Sequence, residues 1–273
     1  MNSVLERIHR AELYLLLSFD SICRDHGLSY FLDSGTALGA VRHKGFIPWD
    51  DDIDVGMPRK DYEFFLDNAQ ELLPNDIIIQ TSKTDCNYLR HYAKLRLKDT
   101  FFPEKDARLH LYKQQGLFID IFPFDNLPNS ILWAKVKIKL SVELYHVIST
   151  WRSSVISSSR MRKCFQRVIR RIPEKRIMWL DGVYERFCRS NNIRETKYLT
   201  CYFWRMTTYH PFIFEKSRLL PVKETLFEGF PFFSVRDPDY YLSMMYGDYL
   251  QLPPIDKQIS HLNGSVDFGE TSF

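Results

Sequence analysis

Residues 13–19 form a short apolar run flanked by charged positions, the pattern of a buried helix face rather than a membrane span. Ser3-Val4-Leu5-Glu6 is a capping-box sequence that opens this helix, and Gly27 suits its C-terminal cap. The helix therefore extends to about His26. Residues 29–33 read as a short strand, and Ser34-Gly35-Thr36 as a turn leading into a second, short helix. Residues 44–48 are a loop punctuated by Gly45 and Pro48. Residues 53–57 read as a strand, and Pro58 opens a helix to about Leu73. Apolar runs at 77–79 and 117–119, and the alternating segment 92–97, predict further strands. From 131 to about 195 the pattern is largely helical, although 134–142 alternates apolar and polar residues and fits a helix or a strand. From Tyr198 onward the chain is rich in aromatics and prolines and is expected to wrap back over the first lobe. The expected class is α/β (α+β): a catalytic core at 1–128, a basic helical insertion at 129–195, and a C-terminal segment, 196–273, that completes the site.

Composition changes this picture in two places. The five cysteines are scattered with no CxxC pair, which fits a reducing compartment and offers no zinc knuckle. Residues 1–10 carry mixed charge without a signal-peptide run, so a cytoplasmic protein is expected. The small net charge of +3 conceals an asymmetry, because residues 131–176 hold twelve Lys or Arg against two acids, Glu143 and Glu174. Such a segment is either a solvated basic face or an electrostatic footprint for an anionic lipid surface or polyanionic acceptor. Nucleic acid is not expected, since no nucleic-acid-binding motif accompanies the charge.

The most informative chemistry is Asp50-Asp51-Asp52-Ile53-Asp54-Val55. On a strand, Asp52 and Asp54 project to one side while Ile53 and Val55 enter the core. Two such carboxylates repel each other, and burying either without compensation costs several kcal/mol. A divalent cation removes the conflict, and an all-oxygen pair suits Mg²⁺ or Mn²⁺. Asp120 stands alone in the apolar Gly116-Leu117-Phe118-Ile119-Asp120-Ile121-Phe122-Pro123, so a cation or a donor is expected beside it. Gly35 and Thr36, sixteen residues before Asp52, complete the Gly-Ser/Thr then Asp-h-Asp pattern (h, hydrophobic) of the nucleotidyltransferase superfamily. A turn opening a helix there can hold phosphate oxygens on its N–H groups, with the Thr36 hydroxyl as a further donor.

The run from Asp33 to Asp54, containing Gly-Thr-Ala-Leu-Gly-Ala-Val-Arg-His-Lys-Gly-Phe-Ile-Pro-Trp-Asp-Asp-Asp, closely resembles the signature of the LicD family. Phe118-Ile119-Asp120-Ile121-Phe122-Pro123, Phe227-Glu228-Gly229, Tyr246-Gly247-Asp248-Tyr249 and Leu252-Pro253-Pro254 resemble its later motifs, in the same order. The resemblance implies a nucleotidyltransferase-like fold that transfers a phospho-substituent from a CDP-activated donor. Phosphocholine passing from CDP-choline to a hydroxyl of teichoic acid or lipopolysaccharide is the best-known case, and relatives of the fukutin type transfer ribitol phosphate. Carried over by position, Asp52, Asp54 and Asp120 match the metal carboxylates and the catalytic set. Gly35, Thr36, Arg42, His43, Lys44, Asp51 and Glu228 become candidates for the donor. Paired histidines are common at the end of family members, whereas here His261 is followed by Leu262.

These expectations define a mechanism in which an acceptor hydroxyl attacks the phosphorus bearing choline and CMP leaves, by positioning and charge neutralisation. Asp120 completes the metal site or accepts the hydroxyl proton. Tyr202, Phe203, Trp204 and Tyr209 are either aromatic faces for a quaternary ammonium or core residues. Glu228 is a ligand-site acid or a turn residue. Two competing functions remain: transfer of a polyol or sugar phosphate from another CDP donor, and transfer of NMP to protein or RNA. The acceptor is a glycan, possibly lipid-linked, met from the cytosol, with peripheral contact to the inner membrane face.

Overall fold

In the computed structural model the described residues are 3–104, 109–152, 160–203, 212–260, 262 and 264–270. They fall into two compact units, 1–124 with 217–273, and 125–216. Helices and strands make up both, as the α/β class requires.

In the first unit, α1 (Val4–Asp25) opens with the capping box, Ser3 and Glu6 each bonding the other's backbone N–H. Gly27 follows at φ +64°, the left-handed conformation that glycine adopts without a Cβ penalty. After β1 (Phe31–Leu32), Asp33 caps α2 (Ser34–Arg42) by accepting from the Ser34 N–H at 2.7 Å. Then come β2 (Asp54–Pro58), α3 (Arg59–Leu72), β3 (Ile77–Gln80), β4 (Ala93–Leu97) and β5 (Phe118–Leu127). The sheet order is β1-β2-β5-β4-β3, with β2 and β5 parallel and the remaining neighbours antiparallel.

The sheet differs from the sequence reading in three ways. Strand β2 starts at Asp54, so Asp52 and Ile53 belong to the extended approach rather than to the ladder, though Ile53 and Val55 are fully buried as expected. Strand β5 is ten residues long, and all ten are buried. The polar members of β4, Lys94 and Arg96, are buried with the apolar ones, so its alternation does not mark a solvent face.

In the second unit the end of β5 pairs with β6 (Tyr198–Thr200), which pairs with β7 (Phe214–Glu215). Residues 134–142 lie inside α4 (Ile131–Arg152), which packs on α5 (Arg160–Ile169) and α6 (Glu174–Arg189). Their alternation has a local cause. Lys137 is buried, and its ammonium donates to the Cys188 carbonyl, Ser190 Oγ and Asn191 Oδ1 at 3.2, 3.0 and 2.6 Å, so a polar residue occupies a core position. A short helix, α7 (Lys216–Leu219), precedes the hairpin β8 (Lys223–Phe227) and β9 (Phe230–Ser234) and then α8 (Pro238–Tyr246) of the first unit. The hairpin packs on β1 and α2, and α8 packs on α2.

Candidate active site

The carboxylates expected to act together converge on the interior β2–β5 pair of the first unit's sheet. In the parallel β2–β5 pair Asp54 lies directly beside Asp120, so register places both side chains on the same face. The β2 approach brings Asp50, Asp51 and Asp52 to the same place. Asp54 is held far above the usual carboxylate range, first by burial and then by the charges of Asp52, Asp120, Asp33 and Asp50. Asp52 is raised to about 7, by burial and by Asp50, Asp120 and Asp51, with Lys94 opposing. Asp50 is raised to about 6, by burial and Asp51. Each acid is therefore raised mainly by the loss of water and next by the charge of its neighbours.

The turn into α2 is built against this cluster. A Cβ on Gly35 would lie 2.6 Å from Asp50 Oδ2, so a side chain there would displace that carboxylate from the helix start. Thr36 is buried, and its hydroxyl oxygen accepts from the Asp54 N–H at 2.8 Å. It anchors the first residue of β2 to α2, a positional part in the site that its candidacy for the donor did not foresee. Asp33, buried and raised to about 7 by its desolvation, accepts from the Tyr241 hydroxyl, so α8 is tied to the start of α2.

The remaining candidates are held by the C-terminal segment. Arg42 donates to the Tyr249 and Gln251 carbonyls at 3.1 and 3.3 Å, and its Nε lies 3.0 Å from His43 Nε2. Burial and Arg42 both lower the pKa of His43. Lys44 is exposed at the rim, at φ +62°. Glu228, in the β8–β9 turn, accepts from the Phe46 N–H at 3.0 Å and donates its own N–H to the Lys44 carbonyl at 2.9 Å. Its carboxylate clasps the 44–46 loop, which is the turn-residue reading of Glu228. Asp51 is buried and accepts from Ser260 Oγ at 3.1 Å. His261 lies outside the described residues.

Asp120 has a partner that sequence reasoning missed. The Lys94 ammonium sits 2.6 Å from Asp120 Oδ1 and 3.1 Å from Glu104, and 3.2 Å above the Phe118 ring. Arg96 pairs with the same Glu104 and donates to Gln80 Oε1 and the Gly116 carbonyl. The only advance signal was a basic residue at each polar position of a strand, which does not say what it meets. Asp120 is nonetheless raised, since burial outweighs Lys94. The aromatic candidates resolve toward packing: Tyr202 is buried in the core of the second unit with Phe203 against it, and Trp204 and Tyr209 lie outside the described residues.

Among the described residues no group of three or more His, Cys, Asp or Glu is arranged so that it could hold a metal ion. An all-oxygen set of crowded, desolvated carboxylates nonetheless fits a hard divalent cation, because its charge would relieve their mutual repulsion. Mg²⁺ is commonly held by one or two carboxylates together with substrate phosphates, so an open arrangement of this kind suits it.

Comparison with known proteins agrees with these features. Residues 27–144 match the family model described as LicD/FKTN/FKRP, nucleotidyltransferase domain. The chain is 28% identical over 260 residues to the lipopolysaccharide cholinephosphotransferase LicD of Haemophilus influenzae, covering 91% of this chain and 92% of that one. It is also 36% identical over 89 residues to an uncharacterized protein of Rickettsia prowazekii, about a third of each chain.

Proposed function

We propose that this chain, whose residues 27–144 match the LicD/FKTN/FKRP nucleotidyltransferase-domain model, is a member of that family and transfers phosphocholine from CDP-choline to a hydroxyl of a cell-surface glycan. The observation that carries the reading is the pairing of Asp54 with Asp120 in adjacent parallel strands, with Asp52 acting on Asp54 and with Asp50 against the Gly35 turn. Similarity over nearly the whole length to a cholinephosphotransferase supports choline as the transferred headgroup and lipopolysaccharide or a related glycan as acceptor.

Asp52 and Asp54 would hold Mg²⁺ or Mn²⁺, with Asp120 beside them. The cation supplies charge neutralisation on the diphosphate and on the departing CMP. The backbone N–H groups opening α2 face the donor phosphates, and its helix dipole favours their charge. Arg42 and Lys44 add positive charge at the rim, with Arg42 oriented by the carbonyls of 249 and 251. The acceptor oxygen forms a bond to the phosphorus bearing choline while the bond from that phosphorus to the bridging oxygen of CMP breaks. Asp120, raised by burial, takes the hydroxyl proton.

A thermal-shift panel with Mg²⁺ tests this reading against its competitors. CDP-choline is expected to stabilise the protein most, and incubation with a glycan acceptor to release CMP. Stronger stabilisation by CDP-ribitol or CDP-glycerol would replace choline with a polyol. A nucleoside triphosphate that stabilises most and yields pyrophosphate would overturn the reading in favour of NMP transfer.

Contact with a lipid surface is part of the proposal. No helix among the described residues is long and apolar enough to cross a membrane. Helix α4 exposes Leu132, Trp133, Val136 and Leu140 along one stripe, Trp133 to 63%, and Lys135 and Lys139 flank it. Trp151 is spent on packing, its indole N–H donating to the Ile172 carbonyl at 2.8 Å, and Lys137 is buried. Each exposed basic residue near an anionic surface contributes about 1 kcal/mol. Co-sedimentation with anionic vesicles should therefore exceed that with neutral ones, fall as salt rises, and weaken on Trp133→Ala. Equal binding to both vesicle types, or none, removes the membrane role.

A further inference from the structure

Helix α1 carries an acid that the reaction as described does not use. Glu12 is fully buried, and neither of its carboxylate oxygens has a hydrogen-bond partner. It sits within the apolar face made by Ile8, Ala11, Leu15, Leu16 and Phe19, where a carboxylate has no packing purpose. Taking on a proton would not satisfy it, because an unpartnered O–H and carbonyl would still be buried at a cost of about 1–3 kcal/mol each.

Its surroundings point in one direction. One turn earlier on the same helix face, His9 Nε2 lies 2.8 Å from the Asp50 carbonyl, and its ring stacks on Phe46 at 3.8 Å between centroids. Helix α1 is thus seated directly on the acidic loop, and Glu12, three residues on, follows His9 on that face. The same helix packs on β4, the strand of Lys94, which neighbours Asp120. After burial, the largest effects on Glu12 are the charges of Asp52, Asp51, Asp50 and Asp120.

We infer that Glu12 is a further carboxylate of the cation centre, brought by α1 to the acidic loop to bind the ion directly or through one of its waters. This rests on the cation reading above. A hard divalent ion takes six or more oxygens, and β2 and β5 provide few of them. An acid from a separate helix would add to them. It also gives α1 a part in the site, since the ion would draw it against the acidic loop.

Calorimetric titration of the full chain with Mg²⁺ and Mn²⁺, alone and with CDP, tests the assignment without relying on turnover. Glu12→Gln is expected to weaken cation affinity about 10- to 100-fold, as loss of a supporting ligand does. The same variant should melt higher than wild type in EDTA, because a neutral amide replaces a buried acid, and should gain less on adding cation. Glu12→Met, of similar volume, serves if the amide does not fold. Unchanged affinity in a folded variant overturns the role of Glu12 and leaves the cation reading standing. No cation response in wild type, with or without CDP, overturns both.

Discussion

Asparagine at either Asp52 or Asp54 is expected to lower kcat/KM by about 10³-fold or more while the protein stays folded. The two positions differ in structure but not in purpose. Asp54 begins β2 beside Asp120, whereas Asp52 precedes the ladder, and Ile53 between them is fully buried. Each carboxylate is pushed up by burial and by the other acids, so the fold gains nothing from their charge. Cation-based stabilisation of developing charge contributes several kcal/mol, and each 1.36 kcal/mol is tenfold in rate. Removing one ligand therefore reaches 10³-fold, and EDTA should reproduce the loss in wild type. The melting temperature in EDTA should not fall, because Asn removes one member of a repelling set. Near-normal turnover at saturating Mg²⁺ in either variant would show that the acids do not serve a cation.

The parts of this site readable in the sequence are those whose geometry is local. Asp50 to Asp54 and Gly35-Thr36 are short-range patterns, and the capping box at Ser3 and Glu6 states its own partner. Partners far along the chain left no such mark. Thr36 reads as a donor to phosphate, with no sign that its oxygen also accepts from the Asp54 N–H, and Glu228 reads as a ligand-site acid or a turn residue, with no sign that it holds the 44–46 loop. Lys94 and Arg96 stand in the sequence only as the polar positions of an alternating strand. Periodicity reports which residues are polar, not whether an acid from a distant loop meets them. The 134–142 ambiguity has the same origin, since buried Lys137 interrupts the helical stripe for carbonyl and amide partners more than fifty residues away. Glu12 was visible as an acid in an apolar helix face, and an unexplained acid there merits the same attention as Asp120 in its strand.

Those hidden partners carry the second large effect. Lys94→Met is expected to destabilise the protein by about 3–5 kcal/mol, because it strips the cation from buried Asp120 and Glu104. The ammonium is only 3% exposed and lies over the Phe118 ring, so neither water nor a mobile neighbour can replace it. Arg96 stays paired with Glu104, but its other donors are committed to Gln80 and the Gly116 carbonyl, and Asp120 is left without its partner. Adding Asp120→Asn to Lys94→Met should recover part of the loss, a coupling that a double-mutant cycle in urea would read directly. The pH dependence has a definite sign. Burial acts to raise Glu104, but Lys94 and Arg96 outweigh it and hold the group below its usual 4.5. An acid depressed in the folded state contributes stability above its unfolded pKa and loses it as pH falls through the folded one. Wild type should therefore lose this contribution only below about pH 4.5, and Lys94→Met should show a weaker loss over the same range. A variant as stable as wild type at pH 7, with the same acid profile, would show that the Lys94 pair contributes nothing net to the fold.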